Sequence, residues 1–463
     1  MGPGTWQDAK HESGDRSSLP EALSRAGRPV TGESDGTEGM RSTTSLRRVL
    51  GLTEVTAGGI GIIIGAGIYV LLGAATGHAG AIVWLAFLLA AVMSALSGLS
   101  YAELSAMFPS AAGEYEYTRQ AMPEWVAFVV GWMMIVGLVV AAATVSIGFA
   151  RYVGYFLDVD PRAAAVALVA AVSIVAMAGV KQSARLMVAL SGIQVGGLVL
   201  VVAIGLPHVG DVDLLAGPGV GGVLGAAALV FFAFIGFDEV ITLAEETRDP
   251  TRTIPRALLL ALGLSTVLYI AVAVAAVSVL GADALAASPR PLADVMAHVL
   301  GARGATVVAA IAVVTTTNTT LLAVTAASRV MYGMAAKGAM PRSFAFVHPG
   351  RGTPIRATIA VASAAVVFAV FGDFSVIAAV TDFAVYVVFL AVNTAVIILR
   401  RTRPELPRPF TVRWAVRGVP VLPVLGVASV AVMMTRLEPL AIGLGVALSV
   451  MGLAAGWLVR RPR

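Results

Sequence analysis

Residues 58–73 read GGIGIIIGAGIYVLLG, and the rest of the chain is interpreted from this stretch. It is apolar and uncharged, yet it contains six glycines: Gly58, Gly59, Gly61, Gly65, Gly67 and Gly73. Because glycine costs roughly 1 kcal/mol relative to alanine inside a helix, the cluster needs a physical reason. A helix broken at Gly65-Ala66-Gly67 would expose peptide groups at membrane depth, which is tolerated only where they line a cavity or meet a ligand. The alternative is close packing of neighbouring helices through small residues.

The composition indicates a multi-pass helical membrane protein. Hydrophobic residues make up 58% of the 463 residues and charged residues 13%, and the mean hydropathy is +0.88. Such values, with repeated apolar stretches of about 20 residues, are typical of membrane-spanning helices. The chain has no cysteine, which excludes disulfides and thiolate metal sites. The net charge of +5 does not indicate a nucleic-acid partner, because the arginines lie between apolar stretches.

We interpret the hydrophobicity pattern as twelve membrane-spanning helices in an all-α membrane protein. Their approximate bounds are 53–74, 80–107, 124–150, 162–180, 184–206, 219–244, 256–280, 304–334, 355–372, 374–399, 416–434 and 438–459. Residues 1–48 are polar and rich in Gly, Ser and charged side chains, which predicts a disordered tail. The chain then divides into this tail, a ten-helix core at 49–400 and two additional helices at 401–463.

The Lys and Arg residues predict the orientation of the chain. Connections on the side of the tail carry about 22 of them, and connections on the opposite side carry about five. By the positive-inside rule, both termini are expected in the cytoplasm, which agrees with an even number of spans. Lysine is nearly absent while Ala, Gly, Val and Arg abound. This bias is typical of a bacterium with a GC-rich genome, in which a multi-pass protein would lie in the plasma membrane.

The sixth span repeats the irregularity of the first. Residues 230–250 read VFFAFIGFDEVITLAEETRDP and place Asp238 and Glu239 in an apolar helix, directly after Ile235-Gly236. The interruptions at Gly65 and near Ile235 are five spans apart. Since five is odd, a second copy of a five-helix unit must enter the membrane from the other side. Broken helices at matching positions of two inverted halves indicate the binding site of a transporter.

Four segments resemble the amino acid–polyamine–organocation (APC) transporters. Residues 59–73, GIGIIIGAGIYVLLG, resemble their first helix, and residues 108–119, FPSAAGEYEYTR, resemble their cytoplasmic segment between helices two and three. Residues 231–258 resemble the sixth helix and following loop of the cationic amino acid transporter branch, and SRVMYGMAAKGAMP at 328–341 resembles the end of the eighth helix. The resemblance implies a LeuT-type fold, with a five-plus-five inverted repeat, two extra C-terminal helices and an amino acid bound between the broken helices.

The two interruptions predict how an amino acid would be held. The N–H groups that begin the half-helix after the first interruption face a carboxylate with the positive end of the helix dipole. These donors belong to Gly65, Ala66 and Gly67. The carbonyls freed at Ile63, Phe232 and Ile235 can accept hydrogen bonds from an ammonium group. Phe232 or Phe234 is a candidate aromatic gate over the ligand.

The departures from the APC pattern concern ion coupling. Family members that use protons often carry a lysine in the fifth helix, which falls at Gln194, and many carry a glutamate in the third, which falls at Gly137. Gln194 cannot titrate, so it does not support lysine-based coupling, but its amide could bridge the first and fifth helices. Asp238 then becomes the leading titratable group. The alternative is that Asp238 holds the unwound helix through backbone N–H groups.

Two further groups of residues are candidates for gating and coupling. Glu245 and Glu246 are candidate gates of the inner mouth, or else a solvated helix end. Residues 315–320, TTTNTT, are an unusual polar run in the eighth span. We assign Thr316 and Asn318 to the substrate and Thr319 to a coupling ion. The alternative for this run is hydrogen bonding between helices.

The sequence as a whole predicts a secondary amino acid transporter that works by alternating access. Its expected partners are the amino acid, H⁺ or Na⁺ and the lipid bilayer, with proton-coupled or exchange-type transport favoured. A sodium-coupled amino acid or polyamine transporter, or a non-transporting amino acid sensor, is the alternative. We expect no catalytic constellation, metal site or cofactor, because the histidines lie outside the spans and no His/Glu pair has ligand spacing. Cationic and neutral substrates both remain open.

Overall fold

The computed structural model describes residues 50–108, 113–179, 184–416 and 418–460. Within these ranges it describes the backbone, but not the side chains, of residues 184–188, 242–246 and 458–460. The predicted tail at 1–48 lies outside the described residues. The described ranges belong to one compact unit.

The described part of the chain contains fifteen α-helices. In chain order they are α1 (Leu52–Ile63), α2 (Gly67–Ala79), α3 (Val83–Met107), α4 (Gly113–Ala121), α5 (Glu124–Val153), α6 (Pro161–Ala178), α7 (Ala184–Gly205), α8 (Val220–Val230), α9 (Pro250–Leu280), α10 (Ala282–Ala287), α11 (Pro291–Ala336), α12 (Ile355–Phe371), α13 (Phe374–Thr402), α14 (Val421–Met434) and α15 (Pro439–Arg460). Five 3-10 segments accompany them, at Gly80–Ile82, Leu206–His208, Phe231–Phe234, Phe237–Glu246 and Arg342–Ala345. Two strands, β1 (Ala415–Val416) and β2 (Val419–Pro420), form an antiparallel hairpin with Ala415 opposite Pro420.

Most of these helices are membrane spans by length and composition. Nine stretches of the described residues qualify: 67–107, 124–153, 161–178, 189–208, 220–241, 250–280, 291–336, 374–402 and 439–457. Three shorter apolar helices, α1, α12 and α14, fall in the remaining predicted spans. The protein is therefore a helical multi-pass membrane protein, as predicted. The count of twelve crossings stays a prediction, because the break after α1 shortens one helix and α2 runs into α3 through a 3-10 turn.

Local residues explain several helix boundaries. Asp160 caps α6, since its Oδ1 accepts a hydrogen bond from Ala163 N at 2.8 Å, and Pro161 occupies the first helical position. Gly301 has φ +68° and interrupts α11. The part of α11 that follows Gly301 matches the eighth predicted span at 304–334.

The two interrupted spans lie side by side and run in opposite directions. The first half of one span, α1, packs against the 3-10 segment Phe237–Glu246, which is the second half of the other. The second half, α2, packs against α8, which is the first half of the other. Directly before α1, the Leu50 carbonyl accepts a hydrogen bond from Arg248 N at 2.8 Å. This pairing of first with second halves requires antiparallel spans and brings the two interruptions together.

Candidate functional site

The first span is broken at the glycine cluster, which confirms the predicted interruption. Helix α1 ends at Ile63 and α2 begins at Gly67. Between them, Gly65 N donates to the Ile63 carbonyl at 2.8 Å, and Ala66 N donates to Thr319 Oγ1 at 3.2 Å. The hydroxyl of α11 thus takes a backbone donor that the broken helix leaves without an intrahelical acceptor.

The sixth span is broken where Ile235 and Gly236 predicted it. Ile235 has extended backbone (φ −58°, ψ 133°), and Gly236 has φ +115°, a conformation that strongly favours glycine. Asp238 Oδ1 accepts a hydrogen bond from Gly236 N at 3.1 Å, and Asp238 is 6% exposed. This contact matches the alternative in which the acid holds the unwound helix in place.

A cavity of about 80 Å³ lies between the two interruptions. Spans one and six contribute Gly61, Ile62, Ile63, Gly65, Ala66, Gly67, Phe232, Ala233, Ile235, Gly236 and Glu239. The other walls come from α5, α7 and α11 through Leu138, Ala141, Val145, Gln194, Asn318, Thr319, Leu322 and Ala323. Nine residues that the sequence predicted for the site are therefore brought together here.

Other predicted site residues lie away from this cavity. Phe234 is buried against the ring of Tyr269, with centroids 5.2 Å apart, so Phe232 is the phenylalanine at the cavity. Thr316 Oγ1 donates within its own helix to the Ala312 carbonyl at 2.7 Å, and Asp238 is also outside the lining. Glu245 and Glu246 end the 3-10 segment Phe237–Glu246, and their side chains lie outside the described residues.

Comparison with known proteins identifies the family. The family model described as "Amino acid permease" matches residues 50–459, which is most of the chain. The chain belongs to the amino acid permease family of the APC superfamily. The predicted resemblance is thereby confirmed, and the protein is a membrane transporter.

Three relatives show how broad this family is. The branched-chain amino acid permease BcaP of Bacillus subtilis is 32% identical over 412 residues, covering 83% of this chain and 86% of BcaP. The methylthioribose transporter of the same organism is 30% identical over 82% of this chain and 86% of its own length. The vacuolar cationic amino acid transporter 2 of Arabidopsis thaliana is 30% identical over 83% of this chain and 65% of its own.

The side-chain amide of Gln194 lines the cavity without making a hydrogen bond to any described residue. The residue is 1% exposed, and neither Nε2 nor Oε1 has a hydrogen-bonding partner among the described residues. The suggested bridge between the first and fifth helices is therefore not formed by this side chain. Its backbone carbonyl instead accepts a hydrogen bond from the Tyr69 hydroxyl at 2.8 Å.

Tyr269 of α9 connects the two interruptions, and the sequence analysis missed it. Its hydroxyl lies 2.8 Å from the Ile63 carbonyl and 2.9 Å from the Ala233 carbonyl. One hydroxyl proton can serve only one of these acceptors at a time. The Ile63 carbonyl also accepts from Gly65 N, so a substrate ammonium would compete with internal donors for it. No motif in the seventh span marks this tyrosine.

Glu114 on α4 is a second functional candidate that the sequence analysis passed over. Burial raises the pKa of Glu114 to about 8, and the negative charges of Asp238 and Glu239 act in the same direction. Within the described residues Glu114 has no ion pair. Glu116, two residues on, pairs with Arg119 at 3.1 Å and Lys337 at 3.7 Å.

The two glutamates of α4 therefore titrate differently. Burial opposes ionisation of Glu116, but hydrogen bonds from Gln120 and Arg119, with the charges of Arg119 and Lys337, outweigh it and lower its pKa. Glu114 holds a proton at neutral pH next to the interrupted sixth span.

The free energy of unfolding should fall as pH rises through the range in which Glu114 is protonated in the folded protein but ionised in the unfolded chain. Its pKa is 4.5 ordinarily and about 8 in the folded permease, so between these values the folded state binds more protons than the unfolded one. The free energy of unfolding then decreases with rising pH and levels off above about 8. We expect the melting temperature of Glu114→Gln, measured from pH 5 to 9, to fall less steeply than that of the wild type.

The matched control is Glu116→Gln. The contribution of Glu116 is fully present above its ordinary pKa, so its loss should lower the melting temperature by a similar amount throughout this pH range. The slope against pH should match that of the wild type. A Glu114→Gln variant with the wild-type slope would contradict the raised pKa.

Proposed function

We propose that the permease carries a neutral, aliphatic amino acid across the plasma membrane by alternating access. The observation that supports this most directly is the cavity between two antiparallel interrupted helices. Backbone groups at such interruptions can bind a ligand without charged side chains, which suits a zwitterion that presents both an anion and a cation.

The substrate carboxylate would be held at the start of α2. The N–H groups at Gly65, Ala66 and Gly67 lie at the positive end of this 13-residue helix. Two of the donors already serve neutral acceptors, the Ile63 carbonyl and the Thr319 hydroxyl. A carboxylate would replace these bonds with stronger, charge-assisted ones. The ammonium group would bind the carbonyl ends of the interruptions at Ile63, Phe232 and Ile235.

The substrate side chain would meet a mostly apolar wall. Five aliphatic side chains of α5 and α11 line the cavity: Leu138, Ala141, Val145, Leu322 and Ala323. Asp238, which the sequence offered as a partner for a cationic side chain, does not line it. An apolar wall favours an aliphatic side chain, because burying an unpaired charge there would be costly. BcaP, a relative of similar length, is named for branched-chain amino acids.

A cationic substrate is the second candidate. Glu239 lines the cavity and supplies a carboxylate that could face a guanidinium or ammonium group. The vacuolar cationic amino acid transporters among the relatives are named for such substrates. Glu239 makes an interaction of its own within the protein, so a cationic substrate would have to compete for it.

The proposed architecture is twelve spans, with a five-plus-five inverted repeat at 49–400 and two additional helices at 401–463. The antiparallel pairing of spans one and six supports this, since spans five apart in an inverted repeat must run in opposite directions. The distribution of Lys and Arg supports a cytoplasmic location of both termini. The residue bias supports a bacterial plasma membrane as the location.

Coupling to protons or to exchange is proposed over coupling to sodium. Gln194 carries no titratable group, whereas Glu114 is protonated at neutral pH beside Asp238. The hydroxyl oxygen of Thr319 already accepts a hydrogen bond from Ala66 N, so only one of its two lone pairs is left for a sodium ion. These observations support a carboxylate-based proton route through Asp238 or Glu114, or an exchanger that needs no ion.

Uptake by the purified protein in liposomes tests the proposal. We expect labelled leucine to accumulate, and unlabelled leucine to compete more strongly than arginine. Uptake should persist without sodium, and its collapse with a protonophore would select proton coupling over exchange. Stronger competition by arginine would select the cationic candidate. A ligand-induced thermal shift without any uptake would contradict transport and indicate a sensor.

A further inference from the structure

A second cavity lies on the outside of the helix bundle, where α11 ends and α12 begins. It has a volume of about 670 Å³ and is open to the surroundings. Its lining comes from the end of α11, the 3-10 segment Arg342–Ala345 and the first turn of α12: Ala335, Ala336, Lys337, Gly338, Arg342, Ala345, Phe346 and Arg356. The substrate cavity shares none of these residues.

The charge of this outer cavity is positive. Lys337, Arg342 and Arg356 line it, and no acidic side chain is among its lining residues. Lys337 lies 3.7 Å from Glu116 Oε2, so part of its charge is neutralised. Among the described residues neither arginine has a carboxylate within ion-pair distance. The guanidinium of Arg356 rests over the ring of Phe346, 4.6 Å from its centroid.

The outer cavity opens toward lipid. Ile359 and Val367 of α12 are 51% and 54% exposed, which marks the face of this apolar helix that meets the bilayer. At about 3.6 residues per turn, Arg356 lies within roughly 60° of both residues around the helix axis. Arg356 therefore ends the lipid-facing stripe, and half-exposed Phe346 lies beside it, where aromatic residues prefer the membrane interface.

The C-terminus of α11 disfavours a bound anion, but the basic side chains of the outer cavity outweigh this effect. A helix C-terminus carries the equivalent of about half a negative charge. The charges of Arg342 and Arg356, neither of which pairs with a carboxylate in the described part of the chain, exceed it together with that of the partly neutralised Lys337. The guanidinium groups also offer paired N–H donors that match the oxygens of a phosphate.

We propose that the outer cavity binds the headgroup phosphate of an anionic phospholipid from the adjacent leaflet. Arg342 and Arg356 hold the phosphate, and the acyl chains lie along Ile359 and Val367. A lipid is the occupant that fits both observations, since its phosphate matches the arginines and its chains match the exposed aliphatic stripe. The site is separate from substrate binding and does not rest on the transport proposal.

The test is a titration of the detergent-solubilised protein with phosphatidylglycerol, followed by its thermal melting. We expect phosphatidylglycerol to raise the melting temperature more than phosphatidylcholine does. In the double variant Arg342→Gln/Arg356→Gln, binding should weaken by roughly thirtyfold, since each basic residue near an anionic headgroup contributes about fivefold. Because both arginines are exposed, the double variant should elute and melt like the wild type without lipid.

The control is Arg401→Gln/Arg413→Gln, which removes the same charge from two exposed arginines outside the cavity. This variant should bind phosphatidylglycerol like the wild type. An equal loss in the control would overturn the proposal, because it would reduce the effect to net charge. Equal protection by inorganic phosphate would overturn it as well, since the ligand would then be a soluble phosphate. Equal shifts with phosphatidylcholine would show that the charge is not recognised.

Discussion

Replacing Gly67 by leucine is expected to abolish amino acid uptake. A Cβ atom at this position would lie 2.6 Å from Ala233 Cα and 2.9 Å from Ala233 Cβ, closer than real side chains pack. The nearest atom belongs to backbone, which cannot rotate away as a side chain can. The two interruptions would have to separate. The N–H groups at the start of α2 would then lie too far from the carbonyls of the sixth span for both to bind one amino acid. The measurement is initial uptake of labelled leucine in proteoliposomes.

The control for this prediction is Gly77→Leu in the same helix. Gly77 is exposed, and an added Cβ would meet only Ala286 Cβ at 3.7 Å, an ordinary contact. Gly77→Leu should therefore transport, with an elution profile and melting temperature close to those of the wild type. If Gly67→Leu transports at the wild-type rate, binding between the interruptions is the wrong interpretation.

Replacing Glu103 by alanine is expected to lower the free energy of unfolding by several kcal/mol. Glu103 of α3 is 1% exposed and accepts hydrogen bonds from Arg400 Nε at 2.9 Å and Val412 N at 2.8 Å. Arg408 Nε lies 3.7 Å from the same carboxylate. Removing the acid leaves two largely buried guanidinium groups uncompensated, which costs about 3–5 kcal/mol of unfolding free energy.

The matched control is Glu116→Ala. Glu116 also pairs with two cations, Arg119 and Lys337, but their side chains are 49% and 44% exposed. Solvent screens such pairs, so their loss should cost about 1 kcal/mol or less. Thermal melting in detergent should show a large drop for Glu103→Ala and a small one for Glu116→Ala. Equal drops would mean that the Glu103 network contributes no more than a surface pair.

The two interruptions were predictable because their causes are local. A run of glycines at 58–67 and the sequence Ile235-Gly236-Phe237-Asp238 each make a continuous helix unfavourable without any tertiary contact. The backbone contact of Asp238 was predictable in kind, since a carboxylate directly after a broken turn can reach a nearby backbone N–H. The structure finds that contact with Gly236 N. Membrane spans follow from apolar length in the same way.

The face that each side chain presents was not predictable from the same pattern. Thr316 and Thr319 are one helical turn apart, yet only Thr319 reaches the cavity, while the Thr316 hydroxyl bonds back to its own helix. The choice between Phe232 and Phe234 likewise depends on how a 3-10 turn rotates between them. These outcomes are decided by packing between distant segments.

Contacts between residues far apart in the chain could not be predicted from the sequence, for a related reason. Tyr269 is 206 residues from Ile63, and Arg400 is 297 residues from Glu103. A single sequence holds no record of which buried polar groups meet across such separations. The aliphatic wall of the cavity between the interruptions could not be predicted either, since Leu138 and Val145 look like any other residues of an apolar helix.

The helix type of residues 237–246 sets the length of the sixth span. A 3-10 helix advances about 2.0 Å per residue and an α-helix about 1.5 Å, so these ten residues cover about 20 Å rather than about 15 Å. Rewinding them as α-helix would shorten the span by about 5 Å at its end. Through the hydrogen bond between Arg248 and Leu50, that shortening would pull on the entrance of the first span. A change of pitch in this one segment would thus move both interrupted spans that enclose the cavity.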